Sequence, residues 1–257
     1  MRDAGLLTAI KAWIAAGNTF AGVESVLTPP SHHLSPGEPP GAEDILAIFA
    51  VARRLRADAS AGTLGQPLRG KNLALLLETP PGEEQSALHR AALELGARVA
   101  EVRFADPGGP AFARDGIRGL ARMLGRMYDA IDCAALPPAT VRQIEQEAGV
   151  PVYAGLGLDD HPARALADLM TLCEHRPAPG ASIRFLGDPT TARARAFLRA
   201  AREVGLAESE DATLVVDAAH GSHWSLSGPA GPLDALGRSE NHRCMMQTLL
   251  LETIVKA

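Results

Sequence analysis

Residues 150–172 read Val-Pro-Val-Tyr-Ala-Gly-Leu-Gly-Leu-Asp-Asp-His-Pro-Ala-Arg-Ala-Leu-Ala-Asp-Leu-Met-Thr-Leu. The apolar run that opens this stretch predicts a strand over 150–154, and the glycines and aspartates that follow predict a loop. Helical spacing of the later apolar residues predicts a long helix over 161–175. The same order of strand, loop and helix recurs along the chain, and repeated β-α-β units imply a parallel sheet with helices on both faces. The predicted fold class is therefore α/β.

Other elements are predicted from apolar periodicity and from the glycines and prolines that interrupt it. The predicted helices span residues 4–16, 42–60, 83–95, 116–127, 139–148, 190–204 and 240–256. The predicted strands span residues 72–77, 98–103, 130–134, 182–186 and 212–217. Two segments rich in glycine, proline or serine, 27–41 and 218–238, are predicted to be loops.

The composition argues against several classes of protein. The chain has 257 residues and a net charge of −5, which disfavours a nucleic-acid-binding surface. Its three cysteines, Cys133, Cys173 and Cys244, are far apart and odd in number, so we expect neither a disulfide framework nor an all-cysteine zinc site. No run approaches the roughly 20 apolar residues of a membrane helix, and Lys11 interrupts the apolar N-terminus. We therefore expect a cytoplasmic protein without membrane partners.

Several segments resemble, in the same order, those of the aspartate/ornithine carbamoyltransferase family, and ornithine carbamoyltransferases in particular. They are Leu68-Arg69-Gly70-Lys71-Asn72-Leu73-Ala74-Leu75-Leu76-Leu77-Glu78, the helix and strand over 115–131, the stretch 144–172 with its His161-Pro162 pair, and Glu240-Asn241. The resemblance implies two parallel-sheet α/β units of the transcarbamoylase type, joined by long interdomain helices. The second unit is expected to be truncated, because only Ala207–Asp211 separate a predicted helix from the next strand.

The resemblance also implies a domain organisation. We expect an N-terminal helix and proline-rich loop over 1–40 and a carbamoyl-phosphate-binding-like α/β domain over 41–160. An interdomain helix and linker follow over 161–180, where proline and glycine stop the helix. A truncated amino-acid-binding-like α/β domain over 181–239 and a C-terminal helix over 240–257, packed back on the first domain, complete the chain.

Residues 78–85, Glu-Thr-Pro-Pro-Gly-Glu-Glu-Gln, align with the Ser-Thr-Arg-Thr-Arg segment by which the family binds the phosphate of carbamoyl phosphate. A helix N-terminus and arginines favour an anion there. In this chain Gly82 and Glu83 stand at the helix start, and Glu83 and Gln85 replace the two arginines. The family's Arg-Thr pair after its third strand is Ala134-Ala135. A carboxylate at Glu83 suits a helix start but repels phosphate, so we expect ordinary carbamoyl phosphate binding to be lost.

The resemblance retains His161 and Pro162. In the family this histidine reaches the carbamoyl oxygen, where negative charge builds up in the transition state. We expect His161 to line a pocket, the alternative being a helix cap. Arg164 stands where the family has glutamine, and two interpretations stay open. Its guanidinium either enters the pocket or forms an ion pair with Asp159, Asp160 or Asp168.

In the second unit, Asp188 lies in the family's strand-end turn, and Thr190 and Thr191 replace the asparagines that hold the amino-acid substrate. Threonines at a helix start are commonly caps. This turn nevertheless follows a strand end, where open α/β sheets bind ligands. Arg193 and Arg195 are two positions apart and point in different directions on a helix, so we do not expect them to bind one anion together.

A last candidate group is Asp217, His220 and His223. The family's His-Cys-Leu-Pro motif falls at Asp217–His220, without the cysteine that orients ornithine. Carboxylate and imidazole groups suit zinc, nickel or iron, so these three are the candidates for a metal site. Exposed or hydrogen-bonded histidines are the favoured interpretation, and we expect no metal or other cofactor.

Three functional hypotheses follow. In the first, the chain is a degenerate carbamoyltransferase homologue, a pseudoenzyme that binds a small anionic or amino-acid-like ligand or serves as a partner subunit. The resemblance then implies a homotrimer or an assembly with an active carbamoyltransferase. In the second, it is an active transferase of altered specificity that uses His161 and Arg164. A metalloprotein that uses Asp217, His220 and His223 is the third.

Overall fold

The computed structural model describes residues 41–77, 83–103, 114–134, 136–176, 180–221 and 223–255. The predicted helix over 4–16, and the predicted loop over 27–41 apart from Gly41, lie outside these residues. Within them the helices are α1 (Ala42–Ser60), α2 (Glu83–Glu94), α3 (Arg114–Met127), α4 (Pro138–Ala148), α5 (Pro162–His175), α6 (Ala192–Glu203) and α7 (Ala235–Ile254). The strands are β1 (Asn72–Leu77), β2 (Arg98–Arg103), β3 (Ala130–Asp132), β4 (Val152–Tyr153), β5 (Ser182–Leu186), β6 (Ala207–Glu208), β7 (Leu214–Asp217), β8 (Ser225–Gly228) and β9 (Gly231–Pro232).

The chain divides into two compact units. Among the described residues, the four-stranded unit contains those of 63–158 and 249–255, and the five-stranded unit contains those of 41–62 and 159–248. Contacts thus group α1 and α5 with the second sheet, whereas the sequence assigns α1 to the first domain and α5 to a linker. The predicted domain boundaries stay a prediction.

The four-stranded unit has a parallel sheet in the order β2-β1-β3-β4. The central strand β1 is a run of leucines and alanine, and Leu73–Leu77 are buried, as expected for a parallel strand covered on both faces. Helices α3 and α4 pack together against one face. Their apolar side chains form one core with those of β1 and β3: Ala74, Leu76, Ile117, Ala121, Leu124, Ile131, Cys133, Val141 and Ile144.

The carboxylate of Asp132, the last residue of β3, organises the loop after β4. Its Oδ1 accepts hydrogen bonds from the backbone N–H groups of Gly155 at 3.0 Å and Leu156 at 2.9 Å. Burial raises the pKa of this carboxyl to about 6, although the backbone donors favour the ionised form and act in the opposite direction. Asp132 therefore connects the ends of β3 and β4 through a carboxyl group whose ionisation is unfavourable in its buried position.

The five-stranded unit has the order β6-β5-β7-β8-β9. Strands β6 and β7 run parallel to β5, whereas β8 and β9 are antiparallel. The second sheet is thus partial and mixed, and the prediction that 218–238 is a loop is wrong. In β8 only Leu226 is buried among Ser225, Ser227 and Gly228, so the apolar signal of a strand is weak there.

Helix α7 begins at Ala235, five residues before its predicted start at 240. The side chain of Asp234 explains this start, because its two oxygens accept hydrogen bonds from the backbone N–H groups of Leu236 and Gly237 at 3.1 and 2.8 Å. Within the described residues, the other predicted elements are present with ends shifted or shortened by up to three residues, and the α/β class is confirmed. Across the described ranges, no helix is long and apolar enough to cross a membrane.

We expect Gly125→Ala to lower the free energy of unfolding by about 1–3 kcal/mol, because it overpacks the contact between α3 and α4. A Cβ atom at Gly125 would lie 1.8 Å from the carbonyl oxygen of Ala148, which belongs to the backbone of α4. Gly119 is the matched control in the same helix, since a Cβ there meets nothing within 4 Å. Gly119→Ala should stabilise by ~0.5–1 kcal/mol. Urea unfolding of both variants is the measurement, and equal effects would contradict the close packing.

Asp132 predicts a pH dependence of stability. Its pKa is about 6 in the folded protein, against an ordinary value of 3.8 for an aspartate carboxyl. The folded state therefore binds the extra proton, and this stabilisation is complete below pH 3.8 and is lost as the pH rises through 6. The loss amounts to about 3 kcal/mol. Asp132→Asn keeps an oxygen acceptor but does not titrate, so the wild type should lose stability relative to this variant between about pH 4 and 7. A constant difference in urea unfolding would contradict the buried carboxyl.

Candidate ligand-binding site

A cavity of about 740 Å³ lies at the carboxyl ends of β5 and β7 in the five-stranded unit. The chain leaves β5 through α6 and forms β6 on one side of β5. Strand β7 then lies on the other side of β5. In open α/β sheets, ligands bind at such points where the strand order reverses. The lining residues are Asp160, Gly187 and Asp188 after β5, Thr191–Arg193 at the start of α6, and Ala218, Ala219, Gly221 and Trp224 after β7.

The turn after β5 requires glycine at position 187. Gly187 has a φ of +131°, and a Cβ there would lie 2.8 Å from the carbonyl carbon of Ala218. The ends of β5 and β7 therefore approach each other more closely than a side chain would permit. This close approach forms one edge of the cavity.

Two exposed carboxylates line the cavity, Asp160 and Asp188. The Oδ1 atom of Asp188 accepts hydrogen bonds from the hydroxyl of Thr190 at 2.6 Å and from its backbone N–H at 2.8 Å. These two bonds hold the pKa of Asp188 below its ordinary value, so the group is ionised at neutral pH. The accessible charge of the cavity is therefore negative on this side.

Thr191 caps helix α6, and its Oγ1 accepts a hydrogen bond from the backbone N–H of Ala194 at 3.2 Å. The interpretation of this residue as a cap is thus confirmed, and Thr191 also lines the cavity. Thr190 is bound to Asp188 instead. Ala192 and Arg193, in the first turn of α6, also line the cavity, near the positive end of the helix dipole.

Arg193 lines the cavity although its side chain is buried, and its guanidinium forms an ion pair with Asp168. Its Nη2 lies 2.7 Å from Oδ2 of Asp168, which is fully buried. The Nε of Arg238 lies 2.6 Å from the other oxygen of the same carboxylate. Burial alone would raise the pKa of Asp168, but the hydrogen bonds from Arg238 and the charges of Arg238, Arg193 and Arg164 outweigh it and lower that pKa. Arg195 instead donates to the backbone oxygen of Thr190, so the two arginines point apart as predicted.

Neither His161 nor Arg164 is among the residues that line this cavity. Nδ1 of His161 accepts a hydrogen bond from the backbone N–H of Ala163 at 3.1 Å and caps α5. Burial lowers the pKa of His161 to about 4, so it is neutral at pH 7. The structure thus has the helix cap, and the pocket-lining role of His161 stays a prediction. The cause is local, since the first turn of α5 needs an acceptor.

Of the two interpretations of Arg164, the structure has the ion pair. Its Nε lies 3.4 Å from Oδ1 of Asp159, and its Nη1 lies 2.8 Å from Nδ1 of His242. Burial, followed by the charge of Arg164, lowers the pKa of His242 to about 3. His242 is therefore a neutral acceptor for the guanidinium, and Arg164 is held by two side chains.

The other predicted candidates fall into two groups. Gly82 lies outside the described residues, and although Glu83 begins α2, its side chain lies outside them too. Asp217 accepts a hydrogen bond from the backbone N–H of Ala219 at 3.0 Å, and His220 and His223 are exposed. Within the described part of the chain, no three or more His, Cys, Asp or Glu side chains lie together as a metal site would require. The structure therefore does not assemble Asp217, His220 and His223 as metal ligands.

Sequence reasoning missed the roles of Asp160, Asp168 and Trp224. One signal was present for Asp168, which interrupts the apolar run Ala165-Leu166-Ala167 and Leu169-Met170 on α5. A carboxylate on a helix that is otherwise apolar is rarely buried unless a cation pairs with it. No comparable signal marks Asp160 or Trp224, because they line the cavity only as a result of how the fold brings distant segments together.

Comparisons with known proteins agree on one family. The model of the aspartate/ornithine carbamoyltransferase carbamoyl-P binding domain matches residues 37–174. A catabolic ornithine carbamoyltransferase of Clostridium perfringens strain 13 is 34% identical over 165 residues, which cover 63% of this chain and 49% of that protein. An ornithine carbamoyltransferase of Haemophilus influenzae strain PittGG is 32% identical over 166 residues, with the same coverage. The chain thus spans about half the length of the curated relatives it matches.

Solved structures share the fold. The ornithine carbamoyltransferase of Burkholderia thailandensis matches with a TM-score of 0.65 at 17% identity, over 84% of this chain and 96% of that one. The enzyme of Pyrococcus furiosus matches with a TM-score of 0.65 at 19% identity, over 84% and 95%. The family match covers more than half of the chain, and the structural matches extend the likeness to the second sheet. The chain belongs to the aspartate/ornithine carbamoyltransferase family.

Proposed function

We propose that this chain is a carbamoyltransferase-like protein that binds a small amino-acid-like ligand in the cavity and does not perform ordinary carbamoyl transfer. The observation that carries the proposal is the cavity beside β5 and β7, with the exposed carboxylates of Asp160 and Asp188 in its lining. A concave site of this volume accommodates a small molecule, and a few polar groups in such a site fix the ligand's orientation.

The charges of the lining favour a ligand with an amine. Asp160 and Asp188 are exposed and negative, whereas Arg193 is buried and shares the single charge of Asp168 with Arg238. An ammonium group beside the two carboxylates gains attraction in a partly enclosed site. The start of α6 and the guanidinium of Arg193 suit a carboxylate at another part of the same ligand. A basic amino acid satisfies both, with its side-chain amine beside Asp160 and Asp188 and its α-carboxylate at the start of α6, whereas a phosphate is repelled by the two carboxylates.

The residues at the positions of the family's catalytic groups also favour a protein without ordinary carbamoyl transfer. The positions of the phosphate-binding arginines hold Glu83 and Gln85, and the strand-end arginine is Ala134. The alternative, an active transferase that uses His161 and Arg164, requires both side chains to reach a substrate. Arg164 is held by Asp159 and His242, and His161 caps its own helix. Removal of one preorganised transition-state donor typically costs ~10²–10³ in rate, so losses at several positions favour a non-catalytic role.

Assembly as a homotrimer, or with an active carbamoyltransferase as its partner, also stays a prediction that rests on the family. A partner-subunit role is compatible with the ligand proposal, because the cavity lies within one unit of this chain.

We expect L-ornithine to bind the purified protein at least tenfold more tightly than L-norvaline, which has the same carbon chain without the side-chain amine. Asp188→Asn should weaken ornithine binding about tenfold, because it removes one charge while keeping the oxygen that accepts from Thr190. Asp211→Asn is the matched control, since it removes the same charge from an exposed residue that does not line the cavity. Isothermal titration is the measurement. Equal affinities for the two amino acids, or equal effects of the two variants, would contradict the proposed ligand chemistry.

We expect no saturable binding of carbamoyl phosphate and no citrulline from carbamoyl phosphate and ornithine. The physical reason is the absence of cationic side chains at positions 83, 85 and 134. A catabolic ornithine carbamoyltransferase assayed in parallel is the positive control. Micromolar binding, or turnover that Arg164→Ala abolishes, would instead establish the alternative of a transferase with a rebuilt site.

A further inference from the structure

We infer that Asp168, which does not line the cavity, is the positioning residue that holds Arg193 and Trp224 in place as its wall. The inference rests on the cavity assigned under the proposed function. It adds the interaction that sets the shape of this cavity. Both Arg193 and Trp224 line the cavity, whereas Asp168 is fully buried beneath them.

One carboxylate holds two guanidinium groups from different helices. Oδ2 of Asp168 lies 2.7 Å from Nη2 of Arg193 on α6 and 3.1 Å from Nη2 of Arg238 on α7. Oδ1 lies 2.6 Å from Nε of Arg238. Hydrogen bonds between ionised groups are short and directional, so Asp168 fixes the orientation of both planar groups.

The two arginines hold Trp224 from two sides. The central carbon of the Arg193 guanidinium lies 4.1 Å from the centre of the indole ring, a close cation–π contact. Arg238 donates through Nη1 to the backbone oxygen of Trp224. The same indole forms edge-to-face pairs with Phe185 and Phe197, with ring centres 5.6 Å apart in each pair. The indole is thus fixed through its ring and its backbone.

Loss of the Asp168 charge removes the counter-ion that both guanidiniums share. Arg193 and Arg238 then repel each other inside the unit, and a buried charge without its partner is strongly unfavourable. The two arginine side chains then separate, and the cation–π contact between Arg193 and Trp224 is lost. We therefore expect a more accessible indole and a weaker ligand site.

Glu174 provides a matched control on the same helix. Its carboxylate accepts hydrogen bonds from Arg53, Arg56 and Asn241. Like Asp168, it holds two arginines to α5 within the five-stranded unit. None of these three partners lines the cavity, so Glu174→Gln weakens the packing of α5 without touching the cavity wall.

The experiment measures acrylamide quenching of Trp224 and affinity for L-ornithine. Trp13 is the other tryptophan of the chain, and a Trp13→Phe background leaves Trp224 as the single reporter. In this background Asp168→Asn should raise the quenching constant at least twofold and weaken ornithine binding at least tenfold. Glu174→Gln should lower the unfolding midpoint while changing both quantities less than about 1.5-fold.

Two results would overturn the inference. The first is a quenching constant in folded Asp168→Asn that equals that of the wild type. The second is an equal rise of the quenching constant in Glu174→Gln, which would indicate general loosening of the unit. If Asp168→Asn does not fold, Arg238→Gln takes its place, because it removes the bond to the Trp224 backbone, and the same rise in quenching is expected. If the wild type binds no ornithine, the proposed ligand fails, whereas the quenching comparison still decides the role of Asp168.

Discussion

The neutralisation of Asp168 by two guanidinium groups is the interaction on which the five-stranded unit depends. A fully buried carboxylate is tolerated only when its charge is balanced and its oxygens accept hydrogen bonds. Arg193 and Arg238 do both, and they come from α6 and α7. The start of α6, which lines the cavity, is therefore fixed to α5 by an ionic contact as well as by apolar packing. A change in this ion cluster reaches the cavity without any change in its lining residues.

Helix α5 carries a second cluster of the same kind near its C-terminal end, whereas Asp168 lies in its middle. Glu174 holds Arg53 and Arg56 of α1 and the side chain of Asn241 of α7. Its pKa is lowered, since the hydrogen bonds from Arg56 and Asn241 outweigh its partial burial. The two carboxylates thus orient α5 against α1, α6 and α7, while the apolar residues between them supply the burial.

Much of the fold follows from the sequence, because helices α1 to α6 and strands β1 to β5 and β7 carry strong apolar periodicity or short apolar runs between turn residues. The hairpin of β8 and β9 does not, since Leu226 is the one buried apolar side chain of β8 and serine and glycine suggest a loop. At the site, the cap at Thr191 and the pairing of Arg164 with Asp159 are both local in the chain and were among the predicted alternatives. The partners of Asp168 are 25 and 70 residues away. Such contacts depend on the packing of three helices, which no local pattern encodes.

The His161-Pro162 pair shows why a retained motif does not by itself imply retained chemistry. A helix start needs a side-chain acceptor for its first N–H groups, and proline at the first helical position has no N–H to satisfy. His161 supplies the acceptor through Nδ1, and Pro162 occupies that first position. The pair is therefore fully explained by the beginning of α5, whether or not a carbamoyl group ever reaches the other ring nitrogen. Function on a shared scaffold is decided by the charges around the ligand. In the function that we propose for this chain, those charges are the carboxylates of Asp160 and Asp188, which favour an amine over a phosphate.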